Sequence, residues 1–284
     1  MVKIRRKETG EVLVSIDADN LVGADLTELD LRGADLHGLN MQGASFWHSD
    51  LSGADLSHAS LKQATLQGAR FGDAIFRHAN LAHINGGATS PGDVLVMTGA
   101  DLSGANFSGA YLRKAEIRDA NMEKAYLCNA DMRDVDFHGS NMREVIARHA
   151  LLIGANLNGA DLTGADFRDS HLNDTNLKGA VLRGADLSTL NPGGFTVLNL
   201  ANLEGADLSG ANLRNILAEN ADFRFANLSG ADLSGAVLSG SILRRANVAN
   251  ADFNAVELAS VTMDYADFSQ AKNADIPVYK RHIR

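Results

Sequence analysis

Residues 154–167 read GANLNGADLTGADF. The stretch repeats a five-residue unit, Ala–Asp/Asn–Leu/Phe–X–X, and the same unit runs almost from end to end of the chain. Taking the Leu/Phe position as the centre, the series passes through Leu21, Leu26, Leu31, Leu36, Met41 and Phe46 on to Leu81. It resumes from Met97 to Leu187 and again from Leu203 to Phe268. No centre is polar although only 45% of the residues are hydrophobic, so chance does not explain the series. The weakest centres are Ala147 and Ala218, each with a larger residue two places earlier, Val145 and Ile216, to make up volume.

A period of five fits neither regular element. On a helix it turns the side chain by about 140° per step and spreads the centres over every face. Along one straight strand, successive centres point to opposite sides. The period makes sense if the chain turns once per unit. The centre and the residue two before it then point inward together, the earlier one usually Ala, as at Ala24, Ala54, Ala155 and Ala206. One large and one small inward residue per side fill a narrow tube. The two residues after the centre form an outward corner, often ending in Gly, as at Gly53, Gly104 and Gly159, where a tight turn requires unusual backbone angles.

Composition bounds the function. Aromatics are only 6% of residues and the formal charge is −9, which argues against a general phosphate-backbone binder, so direct nucleic-acid binding is not expected. A lone cysteine, Cys128, excludes an internal disulfide and a Cys-based zinc site. The opening MVKIRRKETGEV is not followed by an apolar stretch, and no run is long enough to span a membrane. A soluble cytoplasmic protein is the expectation.

The unit resembles that of the pentapeptide-repeat family over roughly nine-tenths of the chain. The resemblance implies an all-β fold: a right-handed quadrilateral parallel β-helix with one pentapeptide per side, four per coil, and about 12–13 coils. On that basis Leu21, Met41, Leu61 and Leu81 stack on one face. Residues 1–15 read as an N-terminal strand or hairpin cap, 16–270 as the β-helix, and 271–284 as a C-terminal cap or tail. Two interruptions, near 84–96 and 188–197, contain Pro91–Gly92 and Pro192–Gly193–Gly194, and each shifts the register by one residue. They are predicted to be modest loops or bulged corners with the coil continuing beyond them.

The slot before each centre holds many of the acidic residues, among them Asp25, Asp55, Asp161 and Asp252. Two readings compete. In one, an acidic rod imitates DNA and engages a type II topoisomerase, DNA gyrase or topoisomerase IV, as the resemblance to quinolone-resistance relatives implies. In the other, Asp and Asn tie down the turns, and Asn80, Asn156 and Asn202 in the same slot favour it. Corner cations such as Arg113, Lys114, Arg133, Arg168 and Arg183 also oppose a mimic.

His58 and His78, twenty residues apart, are predicted to stack about 5 Å apart with no third metal ligand. No nucleophile–base pair, cofactor motif or interior pocket is legible, so no catalytic, cofactor or metal residue is assigned. The reading is a non-enzymatic scaffold for an unidentified protein partner, with a homodimer through a terminal cap as a further expectation. The candidate partner-binding residues lie where the regularity fails or an aromatic faces outward: Trp47, Pro91, Asp93, Asn191 and Phe195.

Overall fold

The computed structural model describes residues 1–189 and 193–280 and divides them into two compact units, Met1–Met142 and Arg143–Arg284. In both, the repeat builds a right-handed, four-sided parallel β-helix.

In the first unit, parallel bridges join residues twenty apart on each side, as Asp25↔Ser45, Asp30↔Asp50, Asp35↔Asp55 and Asn40↔Ser60. Leu26 N donates to Ser45 O at 2.8 Å, and Ser45 N donates to Ala24 O at 2.9 Å. Each corner is a turn closed by the next Ala N–H onto the previous centre's carbonyl, as Ala44 N to Met41 O at 3.0 Å. The third turn residue has positive φ, the geometry of a type II turn. Glycine is common there, but His48 (φ 54), Lys114 (φ 63) and Asn129 (φ 58) hold the same geometry.

The centres and the small residues two before them are buried along the walls, with only end positions such as Ala24, Leu29, Leu39, Ala266 and Phe268 half-buried. Phe46, Phe71 and Phe76 pack edge-on with centroids 6.4 and 5.0 Å apart. Where Ser replaces the small Ala, its hydroxyl is also buried and donates to a carbonyl of the preceding coil, as Ser49 Oγ to Leu26 O and Ser140 Oγ to Ile117 O at 2.7 Å. A buried hydroxyl therefore stays satisfied.

A hairpin closes the start of this unit. Strand β1 (Val2–Arg6) pairs antiparallel with β2 (Val12–Ile16) on one edge and with β3 (Ala34–Asp35) on the other. Ile4 is buried beneath it, and Lys7 Nζ reaches Asp55 Oδ2 at 2.5 Å.

The second unit repeats the architecture, as in Asn156↔Asn176 and Asp161↔Val181. Ala147 and Ala218 are fully buried centres, with Val145 and Ile216 fully buried two places before them. Its last bridge is Asp252↔Lys272, after which a 3-10 turn, Val278–Lys280, folds against the final coil. Lys280 Nζ donates to Leu258 O, Ala259 O and Val261 O at 3.0, 2.6 and 2.7 Å, satisfying carbonyls that no further coil meets. Burial draws the Lys280 pKa below its ordinary value, against the pull of Asp264 and Glu257.

Both interruptions have one form. The bridge step widens from twenty to twenty-six residues over one coil, from Arg70↔Val96 to Asn85↔Tyr111 in the first unit and from His171↔Val197 to Asp186↔Asn212 in the second, and then returns to twenty. Six residues are added to the ordinary two-residue corner, making an eight-residue segment that leaves the wall, and the coil continues. In the first unit the wall keeps Ile84 to Gly86 and resumes at Leu95, so the protruding segment is residues 87–94. Gly86 occupies a centre position without a side chain. A Cβ there would lie 2.5 Å from Leu95 Cδ2, so Leu95 fills the missing centre's volume.

Among the described residues no helix is long and apolar enough to cross a membrane.

Candidate functional site

The corner loop 87–94 is the least regular part of the first unit, and the wall holds it from both sides. A short 3-10 turn, Pro91–Asp93, begins at Ser90, and Pro suits that first turn because it has no N–H to leave unmet. The Asp93 carboxylate gathers the loop: Oδ2 accepts from Thr89 Oγ1 (2.7 Å), Ser90 N (3.0 Å) and Ser90 Oγ (2.9 Å). Its Oδ1 lies 3.3 Å from His48 Nε2, so the loop is clasped to the wall. These hydrogen bonds, from Thr89 and Ser90 above all, hold the Asp93 carboxyl below the usual range. The loop backbone joins the wall ladder too: Gly68 N donates to Asp93 O at 2.7 Å and Ala88 N to Arg113 O at 2.9 Å. Gln67 Nε2 donates to Gly87 O at 3.0 Å.

The clasp depends on a particular glycine. His48 points along the stack and covers Gly68, where a Cβ would lie 2.8 Å from the imidazole Cε1. Trp47 packs beside it, ring centroids 4.1 Å apart and nearly perpendicular, and stays 39% exposed.

Two clefts of about 510 Å³ flank the loop. One is lined by His48, Asp50, Arg70, Pro91, Val96 and Glu116. The other is lined by Asn85, Thr89, Tyr111, Arg113, Lys114 and Arg133. The first mixes charges. In the second, Arg133 grips Asp131 through two hydrogen bonds of 2.8 and 2.5 Å, and Tyr111 is widely exposed. A nucleophile–base pair does not form here: Ser90 is bonded to the carboxylate and not to the imidazole, so nothing draws its proton toward His48.

Of the five residues singled out in the sequence, the fold brings Trp47, Pro91 and Asp93 together around this loop. Phe195 lies in the second unit, 46% exposed at the end of the other insertion. Asn191, like Pro192, lies outside the described residues. That second insertion is held by Asp169, which accepts from Thr189 Oγ1 at 2.7 Å, and by the buried Thr196, whose Oγ1 accepts from Asp169 N at 2.9 Å and donates to Ser188 O at 3.0 Å.

Sequence reasoning did not single out Arg70, Glu116 or Tyr111. They share a cleft with the loop only because the twenty-six-residue step aligns Arg70 with Val96 and Asn85 with Tyr111. The residue types carry no signal of it.

The histidines form a ladder: His37 and His58 lie 5.5 Å apart edge-on, and His58 and His78 stack at 5.4 Å. Among the described residues no group of three or more His, Cys, Asp or Glu could hold a metal ion.

The Asp/Asn slots close turns. Asp25 Oδ1 accepts from Thr27 N at 3.1 Å, Asp161 from Thr163 N at 3.0 Å, Asn156 from Asn158 N at 3.2 Å and Asn176 from Lys178 N at 3.2 Å. Either side chain supplies the acceptor oxygen. Neighbouring arginines neutralise many of the carboxylates. Arg77 pairs with Asp101 at 2.5 Å, Arg183 with Asp207 at 2.6 Å and Arg224 with Asp222 at 2.5 Å. Asp166 is held by both Arg148 and Arg168, each at 2.6 Å.

Among solved structures, HetL, a pentapeptide repeat protein involved in heterocyst differentiation regulation in the cyanobacterium Nostoc sp. strain PCC 7120, is 28% identical. The match covers 83% of this chain and 90% of HetL, with a TM-score of 0.37. QnrB1, a plasmid-mediated fluoroquinolone resistance protein, is 20% identical over 63% of this chain and 86% of its own, with a TM-score of 0.46. Rfr23, from the cyanobacterium Cyanothece 51142, is 25% identical over 46% and 65%, with a TM-score of 0.14. No curated protein matches the chain. The profile of pentapeptide repeats matches in 8 copies, over residues 20–57, 54–85, 96–134, 130–169, 160–189, 201–240 and 241–272. Its gaps fall at the two corner insertions, and by this match the chain belongs to the pentapeptide repeat family.

Proposed function

We propose that this protein is a non-enzymatic scaffold that binds a protein partner through the corner loop 87–94 and the clefts beside it. One observation carries the reading: the loop is an ordered projection, clasped by Asp93 to His48 and flanked by two clefts, on a wall that is otherwise uniform. An ordered projection loses little conformational entropy on binding. Pro91 at its tip and Trp47 beside it offer apolar anchors of the kind that dominate interfaces. The proposal places the protein in the cytoplasm and makes no use of a cofactor.

The test removes residues 88–93, which restores the twenty-residue step. Affinity capture from the source cells is then compared between the intact chain and this variant. Partners recovered by the intact chain and lost with the loop support the reading; identical recovery overturns it.

The DNA-mimic reading requires a run of free carboxylates on one wall. The pairing of Asp101, Asp166, Asp207 and Asp222 with arginine weighs against it, because a mimic must present its charge to the enzyme. A gyrase supercoiling assay, with and without quinolone, separates the two. Inhibition or drug protection at micromolar protein would restore the mimic.

A further inference from the structure

One wall of the second unit breaks the rule for its outward slot. Its five consecutive, bridged slots are Leu151, His171, Val197, Leu217 and Val237, with no Asp or Asn among them. Each of the other walls of the same unit has a single aliphatic slot among polar ones: Ile146 before Asp166, Asp186, Asn212, Asp232 and Asp252; Ile242 after Asn156, Asn176, Asn202 and Asp222; and Val181 between Asp161 and Asp207. The exception has a cost, because an aliphatic slot cannot accept the corner N–H. At Glu219 the amide turns to Asn199 Oδ1 of the neighbouring coil, at 2.9 Å. Among the described residues Val237 is exposed, Leu151, Val197 and Leu217 are half-buried, and Phe195 and Leu200 add exposed apolar surface beside them.

The rims of this wall differ in charge. Before the slots lie Arg148, Arg168 and Arg214, with Asp169 buried beside Arg168; after them lie Asp174 and Glu219. The three arginines already bond Asp166 and Asp232 on the adjoining wall and remain partly exposed. No cation pairs with Asp174 or Glu219 among the described residues.

We propose that this wall is an interface with a second copy of the chain, packed face to face about a two-fold axis parallel to the stack of coils. A flat ladder of four aliphatic slots and one histidine is complementary to another flat β-face, which packs on it at about 10 Å. The axis direction follows from the charges. A two-fold parallel to the stack sets each basic rim against the other copy's acidic rim, so that Arg214 of one copy faces Glu219 of the second in the same coil. A two-fold across the stack would set like charges together. Five coils at about 4.8 Å, by a face with rims about 16 Å wide, give roughly 400 Å² per copy. That is about half the usual area, which puts the dimer among weak, transient contacts, whose dissociation constants are sought in the micromolar range.

The test is the mass of the full chain in solution by analytical ultracentrifugation from about 1 to 200 µM, a range that spans such a dissociation constant. The wild type is expected to pass from monomer to dimer. The variant V197D/L217D/V237D puts into these slots the residue the other walls use there. It is expected to remain monomeric with an unchanged β-sheet circular dichroism spectrum. Glu219→Arg is expected to weaken the dimer about fivefold and Arg214→Glu/Glu219→Arg to restore it. A wild type that stays monomeric to 200 µM overturns the proposal. So does a triple variant that dimerises as well as wild type, since the contact would then lie elsewhere, for instance at the terminal caps. Failure of the double charge variant to recover overturns the two-fold direction.

Discussion

At the scale of single residues, the molecule relies on carboxylates held ionised. Asp55 shows the balance. Burial opposes its charge, but hydrogen bonds from Lys7 and Ser57 prevail and bring its pKa down to about 2. Lys7 is raised above its ordinary 10.5, chiefly by the hydrogen bond to Asp55. A lowered carboxylate stabilises fully above its unfolded pKa of about 4 and loses that contribution as pH falls toward its folded value. The raised lysine contributes below its ordinary value and is lost as pH rises through its folded one. The tie between the hairpin and the wall therefore holds from about pH 4 to about pH 10. Asp55→Asn keeps the turn acceptor and removes the charge. Its amide exchange in β1 is expected to rise at pH 6 and to change less than wild type between pH 4 and pH 2; an acid profile identical to wild type would remove the tie as a cause. Gly68 is the second sensitive residue. Gly68→Ala places a methyl against the His48 ring at a φ of +70, and about 1–2 kcal/mol of stability should be lost in urea denaturation. Trimming His48 to Ala in the same chain should make the Gly68→Ala step cheaper, because the clash partner is gone.

At the scale of the element, the corner loop is a unit of its own held by one carboxylate. Asp93→Ala removes three hydrogen bonds within the loop and the contact to His48. Local opening should become easier by roughly 2 kcal/mol, about thirtyfold in the rate of limited proteolysis within 87–94. The midpoint of global unfolding should hardly move, since the Asp93 side chain bonds mainly within the loop and its backbone bond to the wall is kept. A matching fall in global stability would show that the loop is part of the core. The loop was only partly legible in the sequence. Pro91 and Gly92 announced a break, but Gly86 hid a wall side by lacking the apolar centre that marks one. Leu95, nine residues later, supplies the missing volume, and that exchange is visible only in three dimensions.

At the scale of the whole molecule, each coil rests on the coils before and after it, so damage should stay local. Phe167 is a fully buried centre in the second unit. Phe167→Ala should cost about 3–5 kcal/mol. In hydrogen exchange, the protection lost should concentrate in the coils bridged to it, around Asp186 and Ile146, and should leave β1 and β2 unchanged. A uniform loss over the chain would mean that the solenoid unfolds as one cooperative body.

The period of five, with an apolar centre and a small residue two places before it, determined that the chain turns once per unit around a narrow core; four sides per coil followed only from the resemblance to the pentapeptide-repeat family. Every inward position answers to the same narrow core, and its neighbours recur at a constant separation, so one linear pattern records them all. The turn-closing work of Asp and Asn was legible for the same reason, being local to each corner. Outward positions answer to whatever lies beside them in space. Which slots share a wall depends on where six residues are added to a corner, and that changes every pairing across the break from twenty to twenty-six. The cleft that joins Arg70 and Glu116 to Pro91, the clasp of Asp93 by His48, and the aliphatic stripe from Leu151 to Val237 were therefore decided by the tertiary structure, because each unites side chains brought into register by the winding and not by their order along the chain.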